Sequence, residues 1–310
     1  MNTGLILIIL FMNKSIFLFL FFFSHFVIAQ KQKILFSSEY KNQMHRKFLK
    51  KTKMDSIILF YQDDFVKNNA LNFDKDLMLK NINKRIPNEN AVGFAVLDWE
   101  GDATKILLGI KEVSKLEYDK MVDNYIASIQ YAKKLRPKMK WGYYNFQPII
   151  YGEIHFGYDK IVKEQWLKIL KNVDFLTPSL YVLDDRSEIA DNFSYNYGRS
   201  NAEYSIKLGL ELNKPVYPFI WHRYSDHSKK SSHALIELQH FEKFVKGILG
   251  AKYKNKKVDG VIWWECENFL YNNLKILPAA KDYKNVSDKN TYQNTVLETY
   301  FKRINKNINK

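Results

Sequence analysis

Beyond residue 33 the chain alternates short apolar runs with longer segments of helical period, the pattern of repeated βα units. Seven runs carry it: KILFSS (33–38), SIILFY (56–61), AVGFAVLDW (91–99), WGYYNF (141–146), VDFLTPSLY (173–181), PVYPFIW (215–221) and VDGVIWW (258–264). Most are followed by amphipathic stretches. Between 116 and 135, Leu116, Met121, Tyr125, Ile126, Ile129 and Ala132 recur every three or four positions, and Ile161, Trp166, Ile169 and Leu170 repeat the pattern over 161–171. Both predict outer helices. A further helix ahead of the third run stops at Pro87, another over 232–250 ends at Gly250, and a closing helix runs from Thr295 to Ile304. No linker rich in Gly, Ser or Pro divides the chain, and no internal sequence repeat is visible. The expectation is one α/β domain over 30–310, a distorted TIM-type barrel of about seven parallel βα units. In such barrels the functional side chains sit at the C-terminal ends of the strands.

The third run is the most informative, because GFAVLDWE (93–100) passes from apolar to two carboxylates one residue apart, Asp98 and Glu100. Side chains alternate along a strand, so the two acids share one face and Trp99 takes the other. Each acid disfavours charge on its neighbour, which pushes one of them toward staying protonated near neutral pH. A carboxylic acid held in that state is suited to general acid catalysis. The other strand ends add aromatic and polar groups: Tyr144 and Asn145, Tyr181, Trp221 and Tyr224, Trp263 and Glu265.

The N-terminus differs in kind. Residues 16 to 29, IFLFLFFFSHFVIA, follow Lys14 and end at Ala29, which reads as a signal peptide over 1–29, with Met12 as the tidier start. The run is shorter than the ~20 residues a membrane span needs, and Ser24 and His25 interrupt it, so no stable membrane insertion is expected after its removal. The mature protein is then secreted or periplasmic.

The hydrophobic content of 46% over 310 residues supplies ample core material. Cys266 is the single cysteine, so no intramolecular disulfide can form, and with no histidine placed beside it by the sequence it reads as a buried thiol. The formal charge of +15 favours polyanionic partners. Nucleic acid is not expected, since the lysines are spread along the chain and no zinc, helix-turn-helix or RNA-recognition signature occurs. An acidic polysaccharide suits a secreted location better. His222, His227 and His233 match no zinc spacing, so neither a metal nor a cofactor is expected.

Five of the seven runs, in order, resemble the hyaluronidases of glycoside hydrolase family 56, the animal and venom type. VLDWE (96–100), KLRPKMKWGYYNF (134–146), TPSLY (177–181), PVYPFIWHRYSD (215–226) and GVIWWECEN (260–268) carry the likeness, which covers roughly 55–275. The resemblance implies a seven-stranded barrel. It also implies Glu100 as proton donor, Asp98 as the carboxylate beside it, Tyr181 and Tyr224 as active-site tyrosines and Trp263 as a cleft tryptophan. Tyr144, Trp221 and Glu265 join them as candidate substrate-binding groups at strand ends. Two departures stand out: the family's animal members have disulfides, and after Glu100 they continue with a Trp-Arg-Pro-like segment where Gly101, Asp102 and Ala103 follow here.

Most glycosidases flank the scissile bond with two carboxylates. Asp98 and Glu100 leave one strand side by side, so the motif lacks a nucleophile on the opposite sugar face. The resemblance implies the exception, in which the substrate's own 2-acetamido oxygen attacks, Glu100 serves as acid and then base, and Asp98 and Tyr181 orient the acetamido group. The expected function is therefore a secreted endo-glycosidase acting on an N-acetylhexosamine-containing glycosaminoglycan such as hyaluronan. A chitinase-like barrel also ends a strand in Asp-x-Glu, but it normally carries further aspartates upstream, where Phe94 and Val96 stand here. A non-catalytic carbohydrate-binding protein on the same barrel is the alternative from another class.

Overall fold

The computed structural model describes residues 31–38, 43–68, 71–145, 149–151, 154–156, 160–182, 187–226, 231–273 and 281–308. The expected signal segment lies outside them. Six strands form one wholly parallel sheet: β1 (Lys33–Ser38), β2 (Asp55–Tyr61), β3 (Gly93–Asp98), β4 (Met139–Tyr143), β7 (Phe219–Ile220) and β8 (Gly260–Glu265), in the order β4-β3-β2-β1-β8-β7. A separate antiparallel hairpin, β5 (Ile149–Tyr151) and β6 (Ile154–Phe156), was not foreshadowed by the apolar pattern.

The fifth predicted run, 173–181, is not a regular strand, yet it hydrogen-bonds to both edges of the sheet. Asp174 N donates to Trp141 O at 2.7 Å and Asn145 N to Thr177 O at 3.0 Å on the β4 side. On the β7 side Phe219 N donates to Pro178 O at 2.7 Å and Leu180 N to Phe219 O at 3.0 Å. Pro178 has no N–H to offer, which breaks a regular ladder while leaving the carbonyls free to accept. The seven runs thus curl into a barrel of six strands and one irregular stave.

Helices cover the outside: α1 (Gln43–Thr52), α2 (Lys75–Arg85), α3 (Asp102–Leu107), α4 (Lys115–Leu135), α5 (Lys160–Asn172), α6 (Ser187–Leu212), α7 (Leu238–Gly250), α8 (Glu267–Asn272) and α9 (Lys289–Asn307). The start of α4 is set by a capping box, Ser114 Oγ accepting from Glu117 N while Glu117 Oε2 accepts from Ser114 N at 3.0 Å. Two helical expectations shift. Residues 231–237 precede α7 rather than extending it, because Ile236 N donates to His222 O and Arg223 bridges Leu235. The closing helix begins earlier than expected, at Lys289, where the Asp288 carboxylate caps Asn290 N and Thr291 N.

Strand alternation sorts the core into two layers. Leu35, Ile57, Leu59, Val96, Phe175, Tyr217, Phe219 and Ile262 pack together inside the barrel. Their sequence neighbours Phe36, Phe60, Leu97, Leu176, Val261 and Trp263 face the helices. Gly142 falls on an inward position, where a Cβ would come within 3.1 Å of the Phe175 ring; the missing side chain lets that ring fill the lumen.

Candidate active site

Asp98 is the last residue of β3 and continues the inward series Phe94, Val96, so its carboxyl enters the C-terminal mouth of the barrel. Its register partner across β2 is Tyr61. Trp99 turns outward and stacks on Tyr125, with ring centroids 4.4 Å apart, which pins the strand end to α4. Tyr125 Oη also donates to Trp99 O at 2.9 Å. Gly101 then adopts φ 72°, a left-handed backbone that suits glycine, and starts α3 immediately after Glu100. The two acids are therefore held by a clamped strand on one side and a sharp turn on the other.

Asp98 is buried, and its Oδ1 has no hydrogen-bond partner among the described residues. Burial, reinforced by the Glu100 charge, raises its pKa well above the usual carboxylate range. Glu100 opens to solvent, but its carboxyl is also raised, first by desolvation and then by the charge of Asp226. The pair accordingly retains a proton to higher pH than two ordinary acids, with the first carboxyl deep in the mouth and the second at its rim.

Aromatic side chains wall the mouth. Tyr181 stacks on Trp264 at 5.7 Å with 19° between planes, and lies 5.8 Å from Trp221 and 6.2 Å from Tyr144. Trp221 and Trp264 are themselves 4.8 Å apart. Trp264 Nε1 donates to Tyr61 Oη at 3.2 Å, and Tyr144 Oη shares a 2.9 Å hydrogen bond with Ser179 Oγ. Desolvation first, then the Tyr144 hydroxyl and the Asp98 charge, raise the Tyr181 pKa well above that of a free phenol, so it stays protonated and able to donate. Trp221 is buried, and its Nε1 has no partner among the described residues. The arrangement offers an acid pair, neutral phenols and flat apolar rings around one opening, which is what a sugar ring with polar edges and apolar faces can occupy.

Of the predicted residues, Asp98, Glu100, Tyr144, Tyr181 and Trp221 come together here, and three do not. Trp263 faces outward, buried against Phe36 and Phe48, with Nε1 donating to His222 Nδ1 at 3.1 Å. Its neighbour Trp264 takes the cleft position, because β8 places Ile262 and Trp264 inside and Trp263 outside. Glu265 follows the same alternation outward, accepting from Ser38 Oγ at 2.6 Å and lying 3.2 Å from His45 Nε2. Tyr224 packs in the helical layer, its hydroxyl donating to Glu237 Oε2 at 2.7 Å and lying 3.2 Å from His240 Nδ1. Sequence reading missed Trp264, Tyr61 and Asp226. Counting the period-2 series Ile57, Leu59, Tyr61 inward from the barrel core identifies Tyr61, but Asp226 follows a strand end with no such signal.

Behind the cleft lies a buried ionic network. Arg223 makes two hydrogen bonds of 2.6 Å to the Glu267 carboxylate and two more, at 3.0 and 2.8 Å, to Asp282. His222 Nε2 sits 2.8 Å from Glu267 Oε1, and since Trp263 donates to Nδ1, the imidazole donates through Nε2. Burial alone raises the Glu267 pKa, but the Arg223 charge and the hydrogen bonds from Arg223 and His222 outweigh it and hold the carboxyl far below its ordinary range. The network ties the residues that follow Trp221 to those that follow Trp264. No group of three or more His, Cys, Asp or Glu that could hold a metal ion occurs among the described residues. His227 lies outside them.

No protein-family model matches the chain. In sequence it is similar to hyaluronidase Tab y 2.0101 of Tabanus yao, with 23% identity over 182 residues, covering 48% of this chain and 51% of that protein. The chain thus spans about half the length of that curated relative. In fold it is similar to bee venom hyaluronidase, with a TM-score of 0.55, 13% identity, and coverage of 81% of this chain and 100% of the other. The same enzyme in complex with a hyaluronic acid tetramer matches at 0.55 and 13% over 81% of this chain and 99% of the other. In sequence and in fold the chain is hyaluronidase-like.

Proposed function

We propose that this protein is a glycoside hydrolase that cuts an acidic, N-acetylhexosamine-containing polysaccharide such as hyaluronan within the chain, by substrate-assisted retention. The observation that carries the reading is Asp98: a buried carboxyl with an unpartnered oxygen, beside a second acid, at the mouth of an aromatic cleft. A buried polar atom left without a partner is costly unless a ligand completes it. The acetamido N–H of a substrate is such a group. Its carbonyl oxygen then attacks the anomeric carbon while the glycosidic C–O bond breaks, and the departing oxygen takes the proton from Glu100. Tyr181, kept neutral, donates to the acetamido group and Asp98 balances the charge that develops on it. Water next attacks the anomeric carbon, gives its proton to the Glu100 carboxylate and reopens the cyclic intermediate, so configuration is retained.

The likeness to a protein solved with a hyaluronic acid tetramer and the formal charge of +15 both support a polyanionic substrate. A secreted or periplasmic location follows from the apolar N-terminal run; among the described residues no helix is long and apolar enough to cross a membrane. The test is a reducing-end assay on hyaluronan, chondroitin and chitin oligosaccharides with the wild type and Glu100→Gln. Turnover of the acidic polymers that Glu100→Gln lowers by about 10²- to 10⁴-fold is expected. Turnover of chitin alone would make the protein chitinase-like, and no turnover of any of the three would leave a carbohydrate-binding protein.

A further inference from the structure

Asn145, just past the end of β4, takes no part in the mechanism above. Leu97 pairs with Tyr143 in the β3–β4 register and Tyr144 N donates to Leu97 O at 3.0 Å, so Asp98 stands level with Tyr144 and Asn145 one residue beyond. A strand spacing of ~4.8 Å and a rise of ~3.3 Å per residue put the Cα atoms of Asp98 and Asn145 about 6 Å apart. Asn145 therefore stands on the barrel rim beside the acids. Its backbone is fixed there, because its N–H donates to Thr177 O at 3.0 Å in the irregular stave.

The backbone of Asn145 is left-handed, with φ 58°. In an extended strand the Cβ leaves sideways, to one face of the sheet or the other. Rotating φ from about −120° to 58° swings the Cβ toward the direction in which the strand was running, so this side chain projects past the end of β4 rather than into the helical layer. Asparagine is one of the few residues that tolerates such a backbone, so the turn accounts for the residue type. It does not account for the state of the amide. Oδ1 is buried and has no hydrogen-bond partner among the described residues, a condition it shares with Asp98 Oδ1 and Trp221 Nε1 at the same mouth. A buried acceptor without a donor is unfavourable in the free protein and is relieved by a ligand that donates to it. The residue as a whole is only partly buried, so a ligand can reach it.

We propose that Asn145 is a substrate-contacting residue that recognises the ring hydroxyls of the N-acetylhexosamine held at Asp98. Oδ1 needs a donor, and an ionised uronate carboxylate offers only acceptors. Vicinal sugar hydroxyls satisfy the amide on both sides, one donating to Oδ1 and the next accepting from Nδ2. In a polymer that alternates uronate with N-acetylhexosamine, Asn145 thereby helps to fix which sugar lies over Asp98 and Glu100. The choice of sugar rests on the proposed function; the contact itself does not depend on Glu100 as acid.

The experiment is isothermal titration calorimetry of hyaluronan oligosaccharides into the full chain carrying Glu100→Gln, with and without Asn145→Gly. Glycine keeps the left-handed backbone and removes only the side chain. Binding should weaken roughly 3- to 10-fold in Asn145→Gly. Its thermal midpoint should be no lower than that of the parent, because the Oδ1 removed was unpartnered. Equal affinity in the two chains, or no binding to either, would overturn the contact; equal affinity with a lowered midpoint would make Asn145 a structural turn residue only. Turnover of hyaluronan by the chain with Glu100 intact is measured separately. Turnover with equal binding sinks Asn145 alone, whereas Asn145-dependent binding without turnover sinks the hydrolase and leaves the contact.

Discussion

Replacing Asp98 by Asn should make the protein more stable and less active at once. The carboxyl is buried, lacks a partner for Oδ1, and has a pKa raised by burial and by Glu100, so ionising it in the folded state is unfavourable. The sign follows from linkage. Where the folded pKa exceeds the unfolded value, the native state binds more protons, and stability falls as pH rises from the ordinary carboxylate range through the raised folded pKa. Asn cannot ionise and escapes that loss. Its thermal midpoint should exceed the wild type's at pH 7, and the difference should narrow as pH falls toward about 3.5, where the unfolded carboxyl is also largely protonated. For activity, a carboxyl that the positive charge developing on the acetamido group would ionise is exchanged for an amide that cannot ionise. A hydrogen bond to a charged group contributes about 1.5–3 kcal/mol, so kcat should fall roughly 10- to 160-fold. Thermal melts from pH 3.5 to 8 and reducing-end kinetics on hyaluronan read the two effects independently. A variant that melts lower at pH 7 and keeps its kcat would refute the reasoning, because Asp98 would then be an ionised structural group.

The two adjacent tryptophans should respond oppositely: Trp264→Ala raises KM for oligosaccharides with little change in melting temperature. Trp263→Ala, by contrast, opens a cavity in the helical layer and should cost about 3–5 kcal/mol in denaturant titrations. Glu267→Gln leaves Arg223 facing Asp282 alone and should destabilise the fold by about 3–5 kcal/mol at pH 7. Because the folded pKa of Glu267 is depressed, its contribution is present above the ordinary glutamate range and drains away as pH falls below about 4.5; chemical denaturation at pH 7 and pH 3 should show the variant's deficit shrinking. Gly101→Val forces a β-branched residue into φ 72° and should lower kcat through a displaced Glu100, with a shifted pH–rate profile as the readout.

The acid pair was legible because β3 is apolar up to Asp98, and alternation then fixes that Asp98 and Glu100 share a face. Tyr144 and Tyr181 were legible as strand-end aromatics that the barrel turns inward. Trp263 and Trp264 were not separable. In a parallel barrel both faces of a strand are buried, so VIWW presents apolar side chains on either side and its pattern contains no inside or outside. The long helix α6 escaped notice because its polar residues are spread among its apolar ones and blur the helical period. Asp226 could be placed beside Glu100 only by the chain's path across the barrel mouth.

The amino-acid sequence by itself determined the βα alternation, the number of staves and the strand that ends in two acids, since these rest on local periodicity and on residues adjacent in the chain. The tertiary structure decided which indole faces the cleft, that Glu265 and Tyr224 serve the helical layer, and that Arg223 and Glu267 meet behind the site. Those outcomes depend on the direction in which a two-sided strand curls and on partners such as Asp282, 59 residues from Arg223, which no local pattern encodes.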